Sequence, residues 1–215
     1  MTVGKKVLEL DNIDKTFGAV NALSGIQLSV LAGEVIALVG DNGAGKSTLV
    51  KIAAGVIPPD KGNILFDGEA VVFRGPMDAT RAGIAVIYQD LALCDNLSVV
   101  SNLFLGREIQ NGIPLSPLNE EAMESKVLEL LKELNVGQIR EIDIKVGNLS
   151  GGQRQTIAIA RSLIGEPKVV LLDEPTAALG VAQKVEVLKL IRRLADRGIG
   201  VLVISHNISE VLEVS

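Results

Sequence analysis

The chain has 215 residues, a length that suits one large domain, or one domain with subdomains, burying roughly 70% of its unfolded surface. A formal net charge of −5 argues against long-range attraction to a nucleic-acid backbone. The single cysteine, Cys94, excludes an internal disulfide, and the 2% of aromatic residues leave the core to aliphatic side chains.

Cys94 itself reads as a small buried hydrophobe. Met1-Thr2-Val3-Gly4-Lys5-Lys6 is followed by no apolar signal region, and nowhere do 18 apolar residues run together. The expectation is a cytosolic chain whose membrane link, if any, comes through a partner.

Residues 3–31 read as short strands, with Val7-Leu8-Glu9-Leu10 and Ile26-Gln27-Leu28-Ser29-Val30 alternating, and turns at Phe17-Gly18 and Ser24-Gly25. The apolar run Val35-Ile36-Ala37-Leu38-Val39 then flows into Gly40-Asp41-Asn42-Gly43-Ala44-Gly45-Lys46-Ser47-Thr48 and a helical stretch that Gly55 closes. Gly40, Gly45, Lys46 and Ser47 fit the pattern GxxxxGK[ST], in which loop amides cradle phosphates, the lysine reaches the β- and γ-phosphates and the hydroxyl ligates magnesium. A helix N-terminus adds unpaired N–H groups and partial positive charge. The other reading is a plain glycine turn with an exposed lysine.

Asp67-Gly68 between Asn63-Ile64-Leu65-Phe66 and Glu69-Ala70-Val71-Val72-Phe73 predicts a hairpin, so an antiparallel layer surrounds the first nucleotide strand in sequence. Pro76 opens a short helix ending at Gly83, and Ile84-Ala85-Val86-Ile87-Tyr88 reads as a fully buried strand. Gln89 follows; its amide can orient water or ligate magnesium, or serve as a turn residue. Ser98 caps a helix through Leu105 that Gly106 closes. Ser116-Pro117 is expected to open a longer helix burying Met123, Val127, Leu130, Leu131 and Leu134. Residues 92–163 thus form a mainly helical insert.

Within it, Leu149-Ser150-Gly151-Gly152-Gln153 starts another helix: a serine cap and two glycines make a second anion-type helix start, or an ordinary capped helix. Val169-Val170-Leu171-Leu172 carries Asp173 and Glu174 to the carboxyl edge of a sheet, where paired acids are costly unless matched to a cation or used chemically. Asp173 reads as the magnesium partner, through water, and Glu174 as the base that polarises an attacking water. A helix near 181–196 carries Val185, Leu188, Ile191 and Leu194 inward. After the last strand, Gly200-Val201-Leu202-Val203-Ile204, comes His206, the one histidine; at the same edge its imidazole can reach a γ-phosphate and Glu174, or be structural. Apolar strands alternating with helices indicate a parallel sheet covered on both faces.

The ordered set Gly40 to Thr48, Gln89, Leu149 to Gln153, Val169 to Glu174 and His206 resembles the ATPase domain of the ATP-binding cassette (ABC) family over almost the whole chain. The resemblance implies an α/β phosphate-loop NTPase (RecA-like) core at 1–91 and 164–215, including an antiparallel β subdomain, with a helical subdomain inserted at 92–163. It also implies ATP and Mg2+, and a head-to-tail dimer in which Ser150, Gly151, Gly152 and Gln153 of one copy close over the γ-phosphate held by the other's Gly40, Asp41, Asn42, Gly43, Ala44, Gly45, Lys46, Ser47 and Thr48. Phe17 matches the aromatic that stacks on adenine, with Val20 beside it; core packing is the other reading of Phe17.

Residues 39–49, 83–89 and 102–108 resemble ATPases of bacterial monosaccharide importers of the ribose, xylose and fructose type. The implied partners are permease subunits, seated near Gln89, and indirectly a substrate-binding protein, with the chain peripheral on the cytoplasmic face of the inner membrane and no nucleic acid involved. Gly180 stands where most of the family has an aspartate, which puts a contact across the dimer in doubt. Family members continue beyond the equivalent of Ser215, so the expectation is a C-terminal truncation or a part of a longer protein. The alternatives are a soluble ABC ATPase acting on nucleic acid or ribosomes as an ATP-driven clamp, and a nucleotide sensor without hydrolysis.

Overall fold

The computed structural model describes residues 4–41, 43–112, 116–136, 139, 141–207 and 212. Two four-stranded sheets hold the fold. The antiparallel sheet, in the order β2-β1-β4-β5, is built from β1 (Lys6–Phe17), β2 (Val20–Leu31), β4 (Lys61–Phe66) and β5 (Glu69–Val71). The parallel sheet, β3-β8-β7-β6, comprises β3 (Val35–Val39), β6 (Ile84–Ile87), β7 (Val169–Asp173) and β8 (Gly200–Ser205).

Helices α1 (Lys46–Ala53), α2 (Pro76–Ala82), α3 (Val99–Phe104), α4 (Glu120–Glu133), α5 (Gly151–Leu163) and α6 (Val181–Asp196) complete it. The sheet-and-helix alternation expected from the apolar runs is present.

Alternation along β7 and β8 divides the interior in two. Val170, Leu172, Val201 and Val203 face a core shared with α3, α4, α5 and α6, whereas Val169, Leu171, Leu202 and Ile204 face a core shared with α1 and the antiparallel sheet. Both faces of the two central strands, β7 and β8, are therefore dry, which is why these strands read as unbroken apolar runs.

Local signals set most element ends. Lys51 and Ile52 carbonyls accept the Val56 and Gly55 N–H groups, with Gly55 left-handed, so α1 ends in a Schellman turn. Asp67 and Gly68, both at positive φ, make the expected tight hairpin between β4 and β5.

Five expectations need correction. The first 31 residues form two 12-residue strands rather than short ones, and Ser24-Gly25 lies inside β2, where register shifts against β1 absorb the glycine. Its N–H donates to Asp14 Oδ1 at 2.6 Å instead of making a turn. The strand after Gly68 pairs only as far as Val71. The strand before Tyr88 is an edge strand with Ala85 and Val86 half-buried, because no strand among the described residues pairs beyond β6. The long helix starts after Asn119, whose side chain accepts the Ala122 N–H, since Leu118 is bridged to Gln110 and holds the chain extended. Val185 is 38% exposed, and Val187 and Leu190 are buried instead.

The remainder of the α4 stripe, Met123, Val127, Leu130, Leu131 and Leu134, is buried as expected. Cys94 is half-buried. Its backbone N–H and carbonyl both bond the amide of Asn102, a fully buried side chain that also donates to the Leu97 and Ser98 carbonyls. No described helix is long and apolar enough to cross a membrane.

Candidate active site

A cavity of about 460 Å³ opens at the carboxyl edge of the parallel sheet, lined by residues from five separate stretches of chain. Gly43, Gly45, Lys46, Ser47 and Thr48 form one wall, Gln89 and the Asp173-Glu174 pair another, Val20 the rim, and His206 the far side. Parallel pairing of β3 with β8, β8 with β7 and β7 with β6 brings these together, since every strand ends at one edge.

The loop before α1 has no room for side chains where it turns. A Cβ on Gly45, at φ +85, would lie 2.5 Å from the Ala22 carbonyl oxygen and 2.8 Å from Leu23 Cδ2. That close approach seats the first amides of α1 against β2. Lys46 is 9% exposed, and its Nζ donates to the Gly40 and Asp41 carbonyls, each at 2.7 Å. The lysine is thus held within the loop, so its positive charge stays beside the amides. The Ala44 N–H donates to the Asp41 carbonyl. Asn42 lies outside the described residues.

Asp173 and Glu174 differ in environment despite being adjacent. Burial, then the Glu174 charge, pushes the Asp173 carboxyl up, against the pull of Lys46 and Lys51. Glu174 sits at φ +52 with its N–H donated to the Ile204 carbonyl, a conformation that costs an ordinary side chain energy and is retained here at the strand end. The turn aims its carboxylate at His206, whose Nδ1 lies 2.9 and 2.8 Å from the two oxygens.

With the Glu174 carboxylate engaged by His206, the Ser47 hydroxyl, the Gln89 amide and the Asp173 carboxylate remain along the cavity as groups that offer oxygen ligands. One carboxylate with neutral oxygens suits magnesium, which keeps water and phosphate oxygens for its other positions. The charge that disfavours ionisation of Asp173 is of the kind a divalent cation relieves.

Other expected residues lie elsewhere. Phe17, 50% exposed, does not line the cavity; it pairs with Val20 across the β1–β2 turn, at the rim. Ser150 accepts the Gln153 N–H and Gln153 accepts the Ser150 N–H in a capping box that starts α5. Gly151 and Gly152 face Leu179 and Gln183 of the same chain, and none of the four lines the cavity. Asn21, Ala22 and Ala177 do line it. The sequence pattern did not single them out, because none of the three belongs to a motif that carries chemistry.

A second cavity, about 510 Å³, runs along the open edge of β6, from Met77 and Thr80 of α2 to Leu105, Arg107 and Arg161. Tyr88 faces this groove and Gln89 faces the first cavity, so consecutive residues join the two.

The family model described as ABC transporter matches residues 23–177. The chain is 48% identical over 209 residues to the xylose/arabinose import ATP-binding protein XylG of Sulfolobus acidocaldarius, covering 97% of this chain and 82% of that one. With the fructose import ATP-binding protein FrcA of Rhizobium meliloti it shares 43% identity, at 97% and 82% coverage. Among solved structures, the ADP conformation of an ATP-binding cassette of an ABC transporter superposes with a TM-score of 0.84 at 31% identity, covering 96% of this chain and 84% of that one. A dimeric bacterial ABC transporter cassette does so at 0.76 and 26%, with 96% and 90% covered.

Proposed function

The chain belongs to the ABC transporter family and is an ATP-binding ATPase subunit, and from that premise we propose that it powers the import of a monosaccharide. The observation that carries the reading is the convergence of Lys46, Ser47, Gln89, Asp173, Glu174 and His206 on one cavity. Support for the sugar comes from the import ATP-binding proteins for xylose/arabinose and fructose.

In this reading the loop amides and Lys46 hold the β- and γ-phosphates, and Ser47, Gln89 and Asp173 hold Mg2+, which supplies charge neutralisation at the phosphates. Glu174 takes the proton of the attacking water while His206 orients the carboxylate and faces the γ-phosphate. Phe17 and Val20 receive the adenine.

Ser150, Gly151, Gly152 and Gln153 act on the nucleotide of a second copy. Their absence from the lining of their own chain's cavity and the dimeric cassette among the structural neighbours support this. Residues 92–163 serve as the helical subdomain and residues 1–91 with 164–215 as the core. The groove along β6 receives permease subunits, placing the chain at the cytoplasmic face of the inner membrane, and a substrate-binding protein joins indirectly.

Co-purification of the tagged chain with a multi-span permease tests the proposal. Steady-state phosphate release stimulated by that permease and by a monosaccharide-loaded binding protein is the expected result. Recovery of RNA or ribosomes in place of a permease would refute it.

A further inference from the structure

Phe17 is held by a network that nothing in its motif announces. Its ring carries Lys15 Nζ 5.7 Å from the centroid, two residues back on the same strand. That ammonium is 12% exposed as a side chain and is fixed by Asp60 Oδ1 at 2.7 Å. The other oxygen of Asp60 accepts the Thr16 N–H at 2.7 Å and the Thr16 hydroxyl at 2.8 Å, while the Asp60 N–H donates to the Asp14 carbonyl. One residue from the loop after α1 therefore grips the three residues that precede Phe17, Lys15 and Thr16 through its carboxylate and Asp14 through its backbone N–H. The bonds to Lys15 and Thr16 hold the Asp60 carboxyl down at about 2, so the grip is ionised across the physiological range.

Geometry decides what the grip is for. Lys15 occupies one side of the ring, and Phe17 is still 50% exposed, at the hairpin end next to Val20, which lines the cavity. A flexible aromatic at a two-residue turn would lose rotamer freedom on stacking with a base; one already clamped does not.

We infer that Asp60 and Lys15 are positioning residues for nucleotide-base recognition, fixing the Phe17 ring so that its exposed side receives the adenine. This rests on the reading of Phe17 as the base-stacking residue. Because α1 joins the phosphate loop to the segment carrying Asp60, the clamp also ties the base-binding edge to the phosphate-binding edge of the site.

Calorimetry on the whole chain separates the possibilities, with Mg-ATP and Mg-tripolyphosphate as probes. Phe17→Ala should weaken ATP binding about 10-fold and leave tripolyphosphate unchanged; equal ATP affinity there would remove the base-stacking reading itself. Asp60→Ala and Lys15→Met should each weaken ATP about 3- to 5-fold with tripolyphosphate unchanged. Lys15→Met keeps the Asp60–Thr16 bonds and so guards against misfolding of the loop. If Phe17→Ala weakens ATP but Lys15→Met does not, the positioning role is overturned while the base reading stands. A loss that falls equally on tripolyphosphate would likewise overturn it, as would an unchanged ATP affinity in Asp60→Ala.

Discussion

Nδ1 of His206 lies within 2.9 Å of both carboxylate oxygens of Glu174, two residues 32 apart in sequence that the β7–β8 pairing brings side by side. The side chain of Glu174 is 18% exposed and that of His206 67%, so the acid is sheltered and the imidazole faces the cavity. Glu174→Gln should preserve ATP binding and reduce turnover by about 10²-fold or more, because the amide occupies the same space without a basic lone pair. Phosphate release and calorimetry on the same preparation check both halves. Unchanged turnover would remove Glu174 as the base.

Asp173 makes the opposite kind of prediction. Its carboxyl is pushed up by burial and by Glu174, so the folded state binds this proton more tightly than the unfolded one. Stability therefore falls as pH rises from the unfolded value, 3.8, through the raised folded value, and at neutral pH the ionised side chain is a cost. Asp173→Asn should raise Tm at pH 7 by a few degrees at most, since 1 kcal/mol moves Tm by about 2–4 °C in a domain of this size, while ATP hydrolysis is lost. Thermal melts at pH 7 and pH 4 should show the gain shrinking at the lower pH.

Gly45→Ala should damage both fold and site. The added Cβ meets backbone oxygen at 2.5 Å in a left-handed conformation, and the cost is about 1–3 kcal/mol from the backbone alone. Denaturant midpoints would register it, and nucleotide binding should fall below detection, since the loop can relieve the clash only by moving its amides. Stability equal to that of the parent would show that β2 yields instead.

Gly180 caps α6 without a side chain, at φ −70 and ψ 161, with nothing within 4 Å of an added Cβ. Gly180→Asp should therefore fit and stabilise by a few tenths of a kcal/mol, since an aspartate at this place can accept the first free amides of the helix. A rise in the urea midpoint is the expected reading; a fall would mean that the Gln183 side chain, which already accepts the Gly180 N–H, is displaced at greater cost.

Much of the candidate site was legible because the residues that gather at the cavity stand in patterns of residue type at short range. A glycine loop before a helix, two acids at the end of an aliphatic strand and a histidine after the last strand each announce themselves within a few residues. The apolar runs of β7 and β8 likewise determined that the sheet is parallel and covered, because only strands dry on both faces dispense with alternation.

Tertiary structure decided what local signals leave undetermined. That β6 is an edge, half-open along a groove, depends on which strand finds no partner, and Ile84-Ala85-Val86-Ile87 has the same character either way. Ser24-Gly25 turns in a peptide but bulges in a long ladder, because continued pairing of β1 and β2 outweighs one glycine. The 2.8 Å approach of His206 to Glu174 and the grip of Asp60 on Lys15 and Thr16 belong to the tertiary structure alone. Each joins segments more than 30 residues apart, and a hydrogen bond is set by angstroms that no spacing along the chain encodes.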